Sequence, residues 1–326
     1  MMRSCLTGVL VSIILLWDCS AQSQECSVLR IRRFDTDLHR LLNHQTPQEV
    51  FISEYGAFID LFGKQIIDIG GIDSVGFFDR LHSFFSEPTL KNLYQDEQQN
   101  FSDITAIEKE LSEGFGVLLK EFPSMSLPEI YMHVSGLNQN VIVGDHILSI
   151  SVDKYMGSDY PLYQQFFYDY QLVQMRPDRM VPDYLLGWMM TEFPFQGNED
   201  VLLDRMIYEG KLRFILTRLL PERQVWEYVG YSKEQYLWCS NNKKSIWKSI
   251  LSNQHLYKAD YLVTSQYLKD APYTAFLTEK SPARVGVWVG YQIVISFMKN
   301  NPDTSLQDLI NRVDYQEFLK QSKYKP

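Results

Sequence analysis

The sequence has no excess of basic residues. It holds 31 Lys and Arg against 40 Asp and Glu, which gives a formal net charge of −9, and it contains no long basic run. Proteins that bind nucleic acid neutralise phosphates with clustered Lys and Arg. The composition therefore predicts that nucleic acid is not a partner of this chain.

Cysteine is scarce. The four cysteines are Cys5, Cys19, Cys26 and Cys239. None falls in a Cys-x-x-Cys pair or in a Cys/His cluster, which argues against structural zinc. Cys26 and Cys239 could pair in an oxidising cell envelope, or both could stay thiols, because spacing alone does not decide pairing.

Long apolar runs are also missing. Beyond the N-terminus no run reaches the ~18 apolar residues of a membrane-spanning helix. At the N-terminus, Arg3 precedes a mostly apolar stretch at 6–16, which is too short to span a bilayer and is typical of an export signal. We therefore expect a chain that is exported and is either soluble or lipid-anchored.

Two routes of signal cleavage fit the sequence. Cleavage before Cys19 would expose that cysteine for acylation, although Asp18 stands where a small residue is usual. Cleavage after Ala21 would instead release a soluble chain that starts at Gln22. On the first route, residues 1–18 are a lipoprotein-type export signal, residues 19–27 a tether and residues 28–326 a single domain.

No complete catalytic motif is present. A His-Glu-x-x-His zinc hydrolase needs two imidazoles one helical turn apart and a glutamate that polarises water. The histidines at 39, 44, 82, 133, 146 and 255 form no such pair, and there is no Gly-x-Ser-x-Gly or phosphate-binding loop. We predict no metal and no cofactor.

Glu209 is the weak exception. It lies on a predicted helix over residues 204–221, where Tyr208 and Leu212 occupy the two imidazole positions. Without a metal, an acid/base role for Glu209 lacks an electrophile. The alternative is a structural carboxylate paired with a base of the same helix. The candidate bases are Arg205, Lys211 and Arg213.

The hydrophobic pattern is mostly helical. Amphipathic periodicity predicts helices through most of residues 35–122 and again after residue 159. In between, residues 128–135, 141–143 and 146–152 read as strands, with Gly144-Asp145 as a hairpin turn. The predicted fold is a mainly helical α+β domain with a small central sheet.

A Gly/Trp-rich segment follows at residues 282–294. Its pattern predicts a helix with Ser281 as N-cap, and Gly286 and Gly290 one turn apart indicate close approach by a neighbouring backbone. Arg284, Trp288 and Gln292 recur at four-residue spacing. They could form a groove wall with Arg284 facing an anionic or carbonyl group. Tight helix packing with Arg284 in an internal ion pair is the interpretation we favour.

Residues 153–160, just after the predicted hairpin, offer a second candidate binding region. Asp153 and Tyr155 are groups that could line a pocket. The same stretch could equally be an ordinary turn between a strand and a helix. The sequence leaves both interpretations open.

Several of these segments together resemble the gliding-motility-associated lipoprotein B (GldB-like) family of Bacteroidota. The segments are Arg33-Phe34-Asp35, residues 153–157, residues 206–211 and the Pro-x-Arg-x-Gly-x-Trp-x-Gly-x-Gln-Ile-Val run at 282–294. The resemblance implies a cell-envelope lipoprotein acylated at Cys19. It also implies kinship to zinc peptidases, with a zincin-like architecture whose active-site helix lies at residues 204–220 and has lost both imidazoles.

The leading hypothesis is a non-catalytic envelope lipoprotein that is associated with gliding motility or related envelope machinery. It would bind envelope proteins or peptides and reach the membrane through its lipid anchor. One alternative is a divergent metal-dependent hydrolase with a non-standard site. Another is a soluble periplasmic or secreted binding module.

Overall fold

The computed structural model describes residues 29–326. The α-helices in this part of the chain are α1 (Phe34–Leu42), α2 (Gln48–Leu61), α3 (Phe77–Phe85), α4 (Pro88–Asn100), α5 (Thr105–Glu121), α6 (Tyr163–Phe166), α7 (Asp169–Leu172), α8 (Met180–Glu192), α9 (Leu202–Leu219), α10 (Lys233–Ser252), α11 (Tyr261–Leu268), α12 (Val285–Asn300), α13 (Leu306–Asn311) and α14 (Tyr315–Ser322). The strands are β1 (Glu129–His133), β2 (Val141–Gly144) and β3 (Ile147–Ser151).

The export signal, the tether, Cys19 and Cys26 lie outside the described residues, and so does any pairing of Cys26 with Cys239. The side chain of Cys239 is buried on α10. Within residues 29–326, no helix combines the length and the apolarity needed to cross a membrane.

The sheet has the order β1-β3-β2, with β1 parallel and β2 antiparallel to β3. The predicted hairpin joins β2 to β3 through Asp145 and His146, and His146 takes a left-handed φ of 54°. The predicted mainly helical α+β fold with a small sheet is thus confirmed.

Helices cover both faces of this sheet. On one face, Gly187 of α8 lies against Val141 and Leu148. On the other, Phe58 of α2 stacks on Tyr131 with ring centroids 4.3 Å apart. Because helices cover both faces, the serine and histidine side chains that alternate with apolar ones along β1 and β3 are buried as well, and His133 lies 2.7 Å from the Ser149 hydroxyl. Helix α8 also packs on α9.

The most intimate helix contact is the crossing of α9 and α12. A Cβ atom built on Gly290 of α12 would overlap the backbone oxygen of Met206, and one on Gly210 of α9 would overlap the backbone of Gly290. Gly286, one turn earlier, faces Tyr267 of α11, with 2.9 Å between a built Cβ and the Tyr267 carbonyl oxygen. The close backbone approach predicted from the two glycines of α12 is confirmed.

Three helix predictions were wrong in detail. Helix α12 begins at Val285 rather than at 282, with Arg284 as N-cap at a left-handed φ of 57°. Ser281 does not cap it, because its hydroxyl accepts instead from the Thr274 amide at 3.2 Å. The helix predicted after residue 161 breaks into α6 and α7, and α11 was not anticipated.

The Arg33-Phe34-Asp35 segment fastens the start of the described chain to α4. Phe34 is fully buried among aromatic rings, 4.7 Å from Phe58 between centroids. The Arg33 guanidinium donates to Asp35 at 2.6 Å and lies 3.9 Å from Glu97. Asp35 and Glu97 are both fully buried. Burial and then the neighbouring Asp35 raise the pKa of Glu97 to about 9.

We expect Gly290→Ala to destabilise the protein by at least about 3 kcal/mol, because its methyl group would force α9 and α12 apart. Thermal unfolding followed by circular dichroism measures the effect. The matched control is Gly56→Ala on α2, where the added methyl meets only Ile52 at 3.9 Å. This control should gain about 0.5–1 kcal/mol. Equal stability of the two variants would refute the close crossing.

A second prediction concerns pH. Between pH 4.5 and about 9, buried Glu97 keeps its proton while the unfolded chain releases it, so this residue lowers stability as pH rises. Glu97→Gln should remove that loss and gain on wild type by roughly 1.4 kcal/mol per pH unit within this window. Denaturant titrations at several pH values test this, with the exposed Glu113→Gln as control. A pH-independent difference between Glu97→Gln and wild type would contradict it.

Candidate functional site

Helix α9 carries a ladder of charges on one face. The Glu209 carboxylate lies 3.3 Å from the Arg213 guanidinium and 3.7 Å from that of Arg205. The side chains of Glu209 and Arg213 are 11% and 8% exposed. Burial lowers the pKa of Arg213 to about 10, and its Nη1 is buried without a hydrogen-bond partner. Glu209 is therefore engaged as the counter-ion of a buried arginine.

The residues at the two imidazole positions serve the packing of α9. The Tyr208 hydroxyl donates to the Phe193 carbonyl oxygen at 2.9 Å, and Leu212 is fully buried. Lys211, predicted as one possible partner of Glu209, instead donates to the Arg312 carbonyl oxygen. Burial and then Arg312 lower the pKa of Lys211 to about 7. The ion pairs of Glu209 thus run to Arg205 and Arg213 alone among the three predicted bases.

Across residues 29–326, no group of three or more His, Cys, Asp or Glu side chains is placed to hold a metal ion. His133, on β1, has a structural role in the core. Its Nδ1 lies 2.7 Å from the Ser149 hydroxyl, and burial lowers its pKa to about 3. That ring is a neutral part of the core.

Arg284, Trp288 and Gln292 do not share one open wall. Arg284 lies 3.7 Å from the exposed Asp270 carboxylate and borders a notch of about 30 Å³. Trp288 is 2% exposed within the core. Gln292 donates to the Tyr236 hydroxyl at 3.4 Å. A binding role for this trio stays a prediction.

Asp153 and Tyr155 are buried beneath a loop. The Asp153 carboxylate accepts from the backbone amides of Ser135 and Leu137 at 3.1 and 2.6 Å. Burial raises its pKa, against the effect of these hydrogen bonds. The Tyr155 hydroxyl donates to Asp183 at 2.9 Å. Asp153 therefore supports the loop at 135–137 rather than facing solvent.

That loop borders a cleft of about 490 Å³, which we term the Phe166 cleft. Its lining residues are Glu87, Thr89, Leu90, Leu93, Gly136, Leu137, Leu162, Phe166 and Phe167. Phe166 is 60% exposed. A large exposed aromatic side chain beside a recess lined by both apolar and polar groups is typical of a binding surface.

Three contacts hold the walls of the Phe166 cleft. Lys154 donates to the Leu137 carbonyl oxygen at 3.3 Å and lies 4.2 Å from the centre of the Phe167 ring. The Tyr163 hydroxyl of α6 donates to the Asp153 carbonyl oxygen at 2.6 Å. The region around Asp153 thus takes part in a pocket indirectly, by positioning the residues that line it.

The Phe166 cleft was not predicted from the sequence, because residues 161–175 were expected to form one helix. A usable signal was present, because Phe166, Phe167 and Tyr168 are consecutive and cannot all face the core from one helix.

We expect Glu209→Leu to cost about 3 kcal/mol of stability, because it leaves Arg213 buried without its counter-ion. The double variant Glu209→Leu with Arg213→Met should recover most of that loss, because no charge is then left unpaired. Chemical denaturation measures both. Glu199→Gln is the control: Glu199 also pairs with Arg205, but it is 69% exposed and should matter by less than about 0.5 kcal/mol. A double variant as unstable as Glu209→Leu would contradict the pairing.

Comparison with known proteins bears on the whole described chain. The family described as gliding motility protein GldB matches residues 18–326. No curated protein and no solved structure matches the chain. Because the family match spans nearly the full length, the chain belongs to the family of gliding motility protein GldB.

Proposed function

We propose that this protein is a cell-envelope lipoprotein of the gliding-motility machinery, or of related envelope machinery, and acts by binding a protein or peptide partner. Cys19 is the acylated residue, residues 19–27 are the tether and residues 28–326 form one domain. Family membership supports the association with gliding motility and with the envelope. The remaining parts of the proposal rest on the arguments that follow.

The proposal includes no catalysis because the Glu209 carboxylate on α9 is already engaged in ion pairs. A general base must be able to take up a proton at the reacting centre. The Glu209 carboxylate is instead committed to Arg213 and Arg205. Tyr208 and Leu212 stand at the positions where a His-Glu-x-x-His helix carries its metal ligands. We infer that α9 is the degenerate active-site helix of a zincin-like architecture.

The antiparallel edge strand β2 agrees with this architecture. The family resemblance implies a sheet with an edge strand ahead of the active-site helix, and β2 precedes α9 in this chain. Here α8 packs on β2 and also on α9. The order of the sheet and α9 along the chain, and the packing of α8 on both, are thus consistent with a relative of such peptidases. Helix α9 is central because several helices pack on it.

Partner binding is placed at the Phe166 cleft, and the exposed Phe166 ring is the observation that carries this assignment. Aromatic rings bury a large area on binding and dominate interface energetics. The loop at 135–137 is held by Asp153 before any partner arrives, which lowers the ordering cost of association. The leucine and phenylalanine side chains of the lining favour an apolar side chain of the partner, and Glu87 and Thr89 add polar groups that can hydrogen-bond to it.

We expect a photo-crosslinking amino acid in place of Phe166 to capture a discrete envelope protein in intact cells. The same probe at Val75, which is 97% exposed, should capture none. Phe166→Ser should lower the amount of partner recovered by at least about tenfold, because an aromatic anchor contributes on the order of 2 kcal/mol. Immunoblotting and mass spectrometry of the adducts provide the measurement.

Two further arms separate this proposal from its alternatives. Glu209→Gln should leave partner capture intact. If the wild-type protein cleaves a peptide and Glu209→Gln does not, the protein is a hydrolase. Radiolabelled palmitate should enter the wild-type chain and not Cys19→Ala. Absence of label from wild type would favour a soluble module. Absence of an adduct at position 166 would refute the cleft as the binding site.

A further inference from the structure

One segment carries a net charge opposite in sign to that of the whole chain. The protein has 40 acidic residues, yet residues 235–259 contain neither Asp nor Glu. The basic residues of this segment are Lys243, Lys244, Lys248 and Lys258, and it has no arginine. Most of the segment belongs to α10. A local basic surface therefore exists on a protein whose net charge is −9.

Helix α10 sorts these residues onto one side. Its buried residues, Cys239, Ile246 and Ile250, define the face that packs on the body. At 100° per residue the opposite direction carries the stripe Leu237, Asn241, Lys244, Lys248 and Leu251, with spacings of four, three, four and three. All five side chains are exposed. We term this stripe the lysine face.

The lysine face is unsatisfied within residues 29–326. Lys258 of this segment pairs with Asp260 at 2.7 Å, whereas no ion pair or hydrogen bond among the described residues involves Lys244 or Lys248. Leu237 and Leu251 are 48% and 46% exposed. From Leu237 to Leu251 the lysine face runs ~21 Å along α10. The exposed Glu234 lies one turn before Leu237 at the start of α10, and from Leu237 to Leu251 the lysine face carries cations and apolar side chains without an acidic residue.

We propose that the lysine face of α10 lies on the anionic lipid surface of a membrane. Leucines at its two ends enter the boundary between headgroups and acyl chains, and the lysine ammonium groups reach the headgroup phosphates. The rest of the molecule carries net negative charge, so an anionic surface repels it and attracts this face. The contact therefore sets the orientation of the protein on the membrane.

Residues just beyond α10 fit the same environment. Tyr257, Tyr261 and Leu262 are 56%, 52% and 69% exposed, and all lie within eleven residues of Leu251. The Lys269 ammonium donates to the Tyr261 hydroxyl at 2.7 Å and adds another cation there. Tyrosine is favoured at the membrane–water boundary because its ring is apolar and its hydroxyl polar.

The composition favours lipid over a protein partner at this face. Protein interfaces are enriched in arginine and depleted in lysine. Segment 235–259 has the reverse composition, with four lysines and no arginine. Lysine is a flexible point charge that suits a fluid array of phosphates, since it needs no fixed bidentate partner.

The experiment uses the full chain in phosphatidylcholine vesicles with and without phosphatidylglycerol, and lipids brominated on their acyl chains as quenchers. In anionic vesicles the tryptophan introduced by Leu251→Trp should lose roughly half of its fluorescence, because interfacial helices bury apolar side chains roughly 5–10 Å deep. The control Leu127→Trp, at a position 47% exposed in the native protein, should stay unquenched. Each signal is taken relative to wild type.

Reversing the charge of the two lysines on the lysine face tests whether they hold it on the anionic vesicle. Lys244→Glu with Lys248→Glu should reduce quenching of Leu251→Trp to the level of the Leu127→Trp control, as should removal of phosphatidylglycerol. The matched pair Lys109→Glu with Lys120→Glu, at exposed positions of α5, should leave quenching unchanged. Circular dichroism verifies that each variant is folded. The proposal is overturned by absent quenching, by equal quenching at 251 and 127, or by quenching that survives reversal of Lys244 and Lys248.

Discussion

The contact of Gly210 with Gly290 is the constraint on which the rest of the structure depends. Because neither residue has a side chain, α9 and α12 meet backbone to backbone. Helix α9 also packs on α5, α8, α11, α13 and α14, and most of its residues are buried. A helix buried on all sides has no solvated face for its charged residues. Those residues must therefore find partners inside the protein.

The charge ladder of α9 follows from that burial. Arg213 is fixed in a place where water cannot solvate it, so a carboxylate four residues earlier is the simplest counter-ion, and Glu209 supplies it. Lys211 on another side of α9 uses a backbone carbonyl and aromatic rings instead. A carboxylate with this structural duty is a poor general base, because protonating it would strand Arg213. The packing of α9 and the engagement of the Glu209 carboxylate are thus two consequences of one geometry.

Sequence reasoning succeeded where local chemistry decides the structure. The hairpin at Gly144-Asp145 and the close approach at Gly290 each depend on the properties of single residues, and both were predicted. The start of α12 was misplaced because Arg284 adopts a left-handed conformation that only its tertiary setting explains. The consecutive aromatic residues at 166–168 indicate an exposed ring, but they do not predict the Phe166 cleft, because its walls come from α4, the loop at 135–137 and α6. No local pattern records such a meeting of distant segments.

The region around the Phe166 cleft is also packed differently from the rest. Tyr163, Leu172 and Met175 form a small hydrophobic cluster apart from the main core that contains α9 and α12. Segments with few buried apolar contacts open at lower free energy than a central core, and binding regions are drawn from them. The α6–α7 segment can therefore open without disturbing the glycine crossing of α9 and α12. The proposed binding of a partner at the Phe166 cleft requires this separation between a rigid centre and an edge that can adapt.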